Sequence, residues 1–179
     1  ENVKLNPETI GFYLTYLQDS YLIEKSNRYD IKGKKYIGSL SKYYFTDIGL
    51  RNSILEFRQQ EESHIMENVI YNELRIKGFL VDVGIVEHRT SNKENQTIRN
   101  HYEVDFVANL GSKRYYIQSA LMLPDKEKIM QETNSLRQIY DGFKKIIITK
   151  DDIQPWHNED GILFIGLFDF LTKDDCLFF

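Results

Sequence analysis

Apolar side chains recur along this chain with two different periods, and the changes of period mark out its elements. Asn6-Pro7 offers an N-cap followed by a proline in the first turn, and Ile10, Leu14 and Leu17 follow at helical spacing, which predicts a first helix. YLIEK (21–25) predicts a short strand. In RYDIKGKKYIGSLSKYYFTD (28–47), Tyr29 and Ile31 alternate with polar residues, Gly33 supplies a turn, and a second alternating run ends at Phe45. TDIGLRNSILEF (46–57) predicts another helix, capped by Thr46 or Asp47. RQQEES (58–63) is polar and reads as a linker.

Beyond it, HIMENVIYNELRIKG (64–78) carries an apolar stripe of Ile65, Val69, Ile70 and Leu74 and stops at Gly78, the pattern of an amphipathic helix. FLVDVGIVEHR (79–89) predicts a strand, and TSNKENQTIRN (90–100) a polar loop. HYEVDFVANL and KRYYIQSALML predict two strands joined at Gly111-Ser112. DKEKIMQETNSLRQIYDG predicts a helix using Ile129, Leu136 and Ile139, and KKIIITK a fully apolar strand of the kind buried in a sheet. GILFIGLFDFL closes with a strand and a helical turn. The expected fold is therefore α/β (α+β) in two parts. Residues 1–57 have the form of a partial winged helix (helix, strand, basic loop, strand), 58–63 link, and 64–179 form a restriction-endonuclease-like α-β-β-β-α-β domain with a mixed sheet. A complete winged helix has further helices before this segment, and the chain does not begin with Met, so a fragment of a longer protein is expected.

Composition narrows the class. Hydrophobic residues make up 41% of the 179, with 12 Tyr and 11 Phe, so the chain folds around a core rather than staying disordered. ENVKLNPETI has no apolar signal region, and no apolar run approaches the roughly 20 residues of a membrane helix. The single cysteine, Cys176, excludes an internal disulfide framework and fits a reducing cytoplasm; it reads as a small apolar filler.

The net charge of -4 excludes a global basic field, yet charge is segregated. Residues 25–43 hold Lys25, Arg28, Lys32, Lys34, Lys35 and Lys42 against Asp30 alone, a local +5, which leaves -9 for the rest. These six cations, interleaved with Tyr29, Tyr36, Tyr43 and Tyr44, are candidate contacts to a nucleic-acid backbone. The helix from Asn6 to Gln18 has no Lys or Arg, which argues against base-specific readout by it. The alternative is a solvated hairpin, or one that docks on a neighbouring domain.

The candidate chemistry lies in HYEVDFVANLGSKRYYIQSA (101–120). Strand alternation puts His101, Glu103 and Asp105 on one face, with Tyr102, Val104 and Phe106 on the other; Tyr116, Gln118 and Ala120 share a face of the next strand. Where the two faces coincide, carboxylates and an amide oxygen converge, and Glu67 adds a carboxylate from the preceding helix. Mg²⁺ prefers such hard oxygen ligands and is the candidate cofactor, with Glu67 and Asp105 as candidate ligands. The opposing reading makes Glu103 and Asp105 solvated positions of a half-buried strand. His64, His88, His101 and His157 show no zinc spacing, and only His101 shares the candidate face. Trp156 reads as a packing cap.

The order helix-Glu67, strand-Asp105, strand-Gln118-x-Ala120 resembles the PD-(D/E)xK nuclease superfamily, whose lysine position is occupied here by Ala120. The resemblance implies Glu67, Asp105 and Gln118 as a degenerate catalytic set; Lys113, Lys126 and Lys128 are the lysines nearest in sequence that a migrated cation would come from. A second resemblance spans nearly the whole chain. YLQDSYLIEKSNRYDIKGKKYI, KYYFTDIGLRN, ENVIYNEL, EVDFVA and YYIQSA resemble, in order, the DUF4143-type C-terminal region of a prokaryotic AAA+ ATPase family. It implies an upstream ATPase domain outside this chain, where no G-x-x-x-x-G-K-S/T motif occurs. Three functions stay open: a non-ATPase module binding nucleic acid or a protein partner through a degenerate site, an active Mg²⁺-dependent DNA endonuclease, and a pure interaction domain.

Overall fold

The computed structural model describes residues 6–58, 61–91, 97–173 and 175–178. Among them the helices are α1 (Pro7–Asp19), α2 (Ile48–Ile54), α3 (Glu62–Ile76), α4 (Lys126–Arg137) and α5 (Leu167–Thr172). The strands are β1 (Ile23–Asp30), β2 (Lys35–Phe45), β3 (Leu80–Ser91), β4 (Thr97–Leu110), β5 (Lys113–Ala120), β6 (Lys144–Thr149), β7 (Trp156–His157) and β8 (Leu163–Gly166). The fold is mixed α+β. No helix among the described residues is long and apolar enough to cross a membrane.

Local chemistry explains most boundaries. The Asn6 side chain accepts from Glu8 N and Asp47 accepts from Leu50 N, so α1 and α2 start on capping side chains. α3 ends at a Lys77 cap followed by Gly78 at φ +85, a backbone geometry that suits glycine.

All eight strands lie in one mixed sheet, ordered β2-β1-β3-β4-β5-β6-β8-β7. β1 pairs antiparallel with β2 and parallel with β3, so the sheet runs across the expected linker at 58–63 and the basic hairpin is continuous with the α/β part. Residues 59 and 60 of that linker lie outside the described residues, and Glu62 already belongs to α3. The expected loop at 90–100 is shorter: β3 runs to Ser91 and β4 begins at Thr97, their backbones paired through Arg89–Arg99, Thr90–Ile98 and Ser91–Thr97. Residues 92–96 lie outside the described residues. β5 ends at Ala120, short of the expected 123, and Trp156 lies in the two-residue β7, where it stacks on Phe164 at 4.3 Å.

Helices cover both faces. Met66, Ile70, Tyr71 and Leu74 of α3 pack with Phe106, Ile117, Ile146 and Phe170 on one side, where Cys176 is also buried. Leu136 at the end of α4 packs with Val104, Val107, Tyr116, Ala120 and Ile147 on the other. The membership of β4 departs from simple alternation, since Val104 and Phe106 fall on opposite sides. The register explains it. Asp82 pairs with Val107 and Gly84 with Val104, so Asp105 and Phe106 together oppose Val83, a β-bulge. Gly84 makes the bulge possible. A Cβ there would sit 2.8 Å from Ile31 Cδ1, 2.9 Å from Val107 Cγ2 and 3.0 Å from Val104 Cβ.

Gly84→Ala is therefore expected to destabilise the protein by about 1–3 kcal/mol through overpacking against two β-branched valines. Urea unfolding checks this; an unchanged midpoint would mean that the sheet yields at no cost.

Candidate functional site

The site forms where the basic hairpin meets α3 and the bulge of β4. Lys42 and Tyr44 are two residues apart on β2 and so project to the same side. Tyr44 is buried against Tyr71 of α3 with ring centroids 4.0 Å apart. α3 grips the backbone beside it. Asn68 Oδ1 accepts from Phe45 N at 3.0 Å, and the side-chain amides of Asn68 and Asn72 both donate to Phe45 O. This clamp sets Glu67, the residue before Asn68, facing β2.

Lys42 Nζ then lies among three carboxylates: 2.9 Å from Glu67 Oε1, 2.8 Å from Glu103 Oε1 and 3.8 Å from Asp105 Oδ1. Tyr44 donates its hydroxyl to the same Glu67 oxygen at 2.7 Å. Arg28 of β1 donates to Glu103 Oε2 at 2.6 Å and, through Nε, to the Leu40 carbonyl at 2.6 Å. That carbonyl belongs to a stretch of β2 that loops out between Ile37 and Lys42, opposite Asn27. Asp105 Oδ2 accepts from Ser119 N at 2.9 Å, in the place where the β4–β5 pairing stops at Phe106–Ile117.

The electrostatics follow from partial burial. Burial pushes the Asp105 carboxyl up to about 7, and the neighbouring Glu67 charge adds to the rise; the Lys42 ammonium and the Ser119 N–H oppose it. Burial works against the Lys42 ammonium, but Glu67, Asp105 and Glu103 outweigh it and its pKa is raised. Burial also disfavours ionised Glu103, yet Lys42 and Arg28 hold its pKa below the ordinary value. The Tyr44 hydroxyl is raised by burial and then by Glu67, so it stays a donor.

Of the expected set, Glu67 and Asp105 come together and Gln118 does not join them. Gln118 Oε1 accepts from Asp105 N and from Ser135 Oγ of α4, each at 3.4 Å, so the amide is turned to the α4 side while the carboxylates face α3. The expected coincidence of faces fails because the bulge rotates β4 relative to β5 at this point. Ala120 is 1% exposed in the α4-side apolar cluster, away from the carboxylates. His101 is exposed. Lys126 and Lys128 sit on α4, where Lys128 pairs with Glu132, and Lys113 stands at the β4–β5 turn. Among the described residues, Lys42 is the lysine placed among the carboxylates, beside Arg28 on Glu103.

The six candidate nucleic-acid contacts divide in the same way. Arg28 and Lys42 turn inward to the cluster, while Lys25, Lys32, Lys34 and Lys35 are exposed; Lys32 also donates to Glu87 O at 2.9 Å. A cavity of about 290 Å³ opens beside the cluster, lined by Lys42, Tyr44, Arg51, His64, Glu67 and Asn68 among others. A resident Mg²⁺ does not fit. No three His, Cys, Asp or Glu side chains among the described residues are placed to hold a metal ion. The space that Glu67 and Glu103 oxygens share is filled by the ammonium. Sequence reasoning grouped Lys42, Arg28 and Tyr44 with the hairpin as nucleic-acid contacts and not with the carboxylates. Nothing local links residues 42 and 67; the signal is tertiary.

The fold and site thus define an α+β chain with a lysine-centred carboxylate cluster. A family described as a domain of unknown function, DUF8612, matches residues 1–61; it is not the DUF4143 type that the motifs resemble. An uncharacterized protein of Haemophilus influenzae is 32% identical over 173 residues, covering 97% of this chain and 39% of that protein. Uncharacterized protein MJ1544 of Methanocaldococcus jannaschii is 34% identical over 138 residues, covering 77% of this chain and 26% of that protein. The chain therefore spans well under half the length of either relative. Protein VC1899 from Vibrio cholerae aligns in structure over 94% of this chain and 43% of its own, with a TM-score of 0.38 and 14% identity.

The Asp105 carboxyl has a folded pKa above its ordinary 3.8, so its stabilising contribution is complete below that value and is lost as the pH rises through about 7. Asp105→Asn is expected to flatten the fall in stability between about pH 4 and about pH 8, a difference on the order of 1 kcal/mol or more. Thermal unfolding across that range measures it. Parallel curves for the two proteins would contradict the assignment.

Proposed function

We propose that this chain is the non-ATPase, C-terminal module of a cytoplasmic AAA+ ATPase, in which a winged-helix hairpin and a PD-(D/E)xK nuclease-like fold bind nucleic acid or a protein partner without cleaving it. The observation that carries the reading is the burial of Ala120 among apolar side chains, with Gln118 tied to Asp105 N and Ser135. Phosphodiester cleavage needs a cation near the attacking water, and removing such a group costs several kcal/mol of transition-state stabilisation, on the order of a hundredfold or more in rate. The α3-β3-β4-β5-α4-β6 order agrees with the nuclease-like resemblance. The exposed Lys25, Lys32, Lys34 and Lys35 suit non-specific phosphate contact, and the shortness of the chain beside its relatives fits a module of a larger protein.

A second reading, an active Mg²⁺-dependent endonuclease, is favoured by one observation: Lys42 Nζ, 3.8 Å from Asp105, is a cation brought in from another strand. The two separate on plasmid incubated with Mg²⁺ or Mn²⁺. No nicking is expected from the wild type. Nicking that disappears in Asp105→Ala would replace the binding reading with the enzymatic one. In gel shifts at low salt, Lys34→Glu with Lys35→Glu is expected to weaken DNA binding about tenfold or more. An absence of wild-type binding, unaltered by the charge reversal, would leave only the protein partner.

A further inference from the structure

We infer that the Lys42 ammonium takes the place a divalent cation would occupy in the Glu67–Glu103–Asp105 cluster and excludes metal from it, an inference that rests on the non-cleaving reading above. Two elements, α3 and β4, bring carboxylate oxygens of Glu67 and Glu103 within 2.9 Å of one point, with Asp105 at 3.8 Å; with the ammonium among them the three are not set as metal ligands, yet they are the hard oxygen donors a divalent ion prefers. The group at that point is an ammonium tethered by its own side chain to β2. Its 2.9 and 2.8 Å distances to Glu67 and Glu103 are those of charge-assisted N–H···O bonds. A Mg²⁺ or Mn²⁺ ion bonded to both oxygens would meet the ammonium's positive charge at close range.

Charge points the same way. With all three carboxylates ionised, Lys42 and Arg28 leave the group at -1, so an added divalent ion would make it positive in a partly buried place. Without Lys42 the group carries -2, which one divalent ion neutralises. The remaining contacts would persist. Arg28 holds Glu103 by Oε2, which leaves Oε1 available. Tyr44 keeps Glu67 oriented, and Ser119 N holds Asp105 by Oδ2, which leaves Oδ1 available. The cation is thus built into the chain, and the junction between hairpin and body forms without metal.

The test is Mn²⁺ binding, followed by calorimetry and by the loss of the free-ion electron paramagnetic resonance signal, for wild type, Lys42→Ala, and Lys42→Ala with Asp105→Ala. Wild type is expected to bind no stoichiometric Mn²⁺, and chelator to leave its Tm unchanged. Lys42→Ala is expected to bind one Mn²⁺ at least about tenfold more tightly than wild type, with Tm raised about 4 °C by excess Mn²⁺. The added Asp105→Ala should remove both effects. One Mn²⁺ bound by the wild type and lost in Asp105→Ala overturns the inference, as does a folded Lys42→Ala that binds none. Should Lys42→Ala fail to fold even with Mn²⁺ present, Lys42→Gln takes its place under the same two criteria. Plasmid nicking by wild type would defeat the non-cleaving reading separately, because it is read in a different assay from metal affinity.

Discussion

Three carboxylates share a partly buried space between β2, α3 and β4, and one ammonium stands among them. Taking such charges out of water costs several kcal/mol per ion unless each finds a partner. Lys42 supplies that compensation for Glu67 and Glu103 directly and for Asp105 at longer range, while Arg28 and Tyr44 complete the set. Because Lys42 and Arg28 arrive from the hairpin and the acids from α3 and β4, the compensation also fastens two parts of the chain together. Asn68 and Asn72 reinforce the same junction through the Phe45 backbone. The hairpin is for this reason joined to the α/β part by side chains as well as by the shared sheet.

The bulge in β4 is the second requirement. With two β4 residues opposite Val83, the strand turns so that Asp105 can accept from Ser119 N in the gap beside β5, while Val104 and Val107 keep to the α4 side. Gly84 permits it by leaving no Cβ between Ile31, Val104 and Val107. The same turn sends Gln118 away from the carboxylates. One backbone irregularity thus decides which acids meet Lys42 and which side chain misses them.

Much of the fold was legible along the chain. The helical stripe of Ile65, Val69, Ile70 and Leu74, the Gly78 stop, the Asp47 cap and the apolar run Ile146–Ile148 are local signals, and each marks an element. The pairing of β1 with β3 was not legible, since parallel pairing at this separation leaves no mark on either strand alone. The bulge was missed because alternation in HYEVDFVANL looks regular until Gly84, twenty residues earlier, is placed opposite it. For the site, Glu67 and Asp105 were found from residue type and order, whereas Lys42 was grouped with phosphate contacts by its basic neighbours. Its true partners are 25 to 63 residues away, and only the fold brings them near.

A double-mutant cycle between Lys42→Met and Glu67→Gln, read by equilibrium unfolding in urea, tests most directly whether this ion pair holds the junction. The account predicts a coupling of about 1–3 kcal/mol, because Lys42→Met leaves the Glu67 carboxylate with Tyr44 alone, Glu67→Gln takes one of two close carboxylates from Lys42, and the double change removes this ion pair from both sides. Additive losses, with coupling near zero, would contradict it and reduce Lys42 to one more solvated lysine of the hairpin.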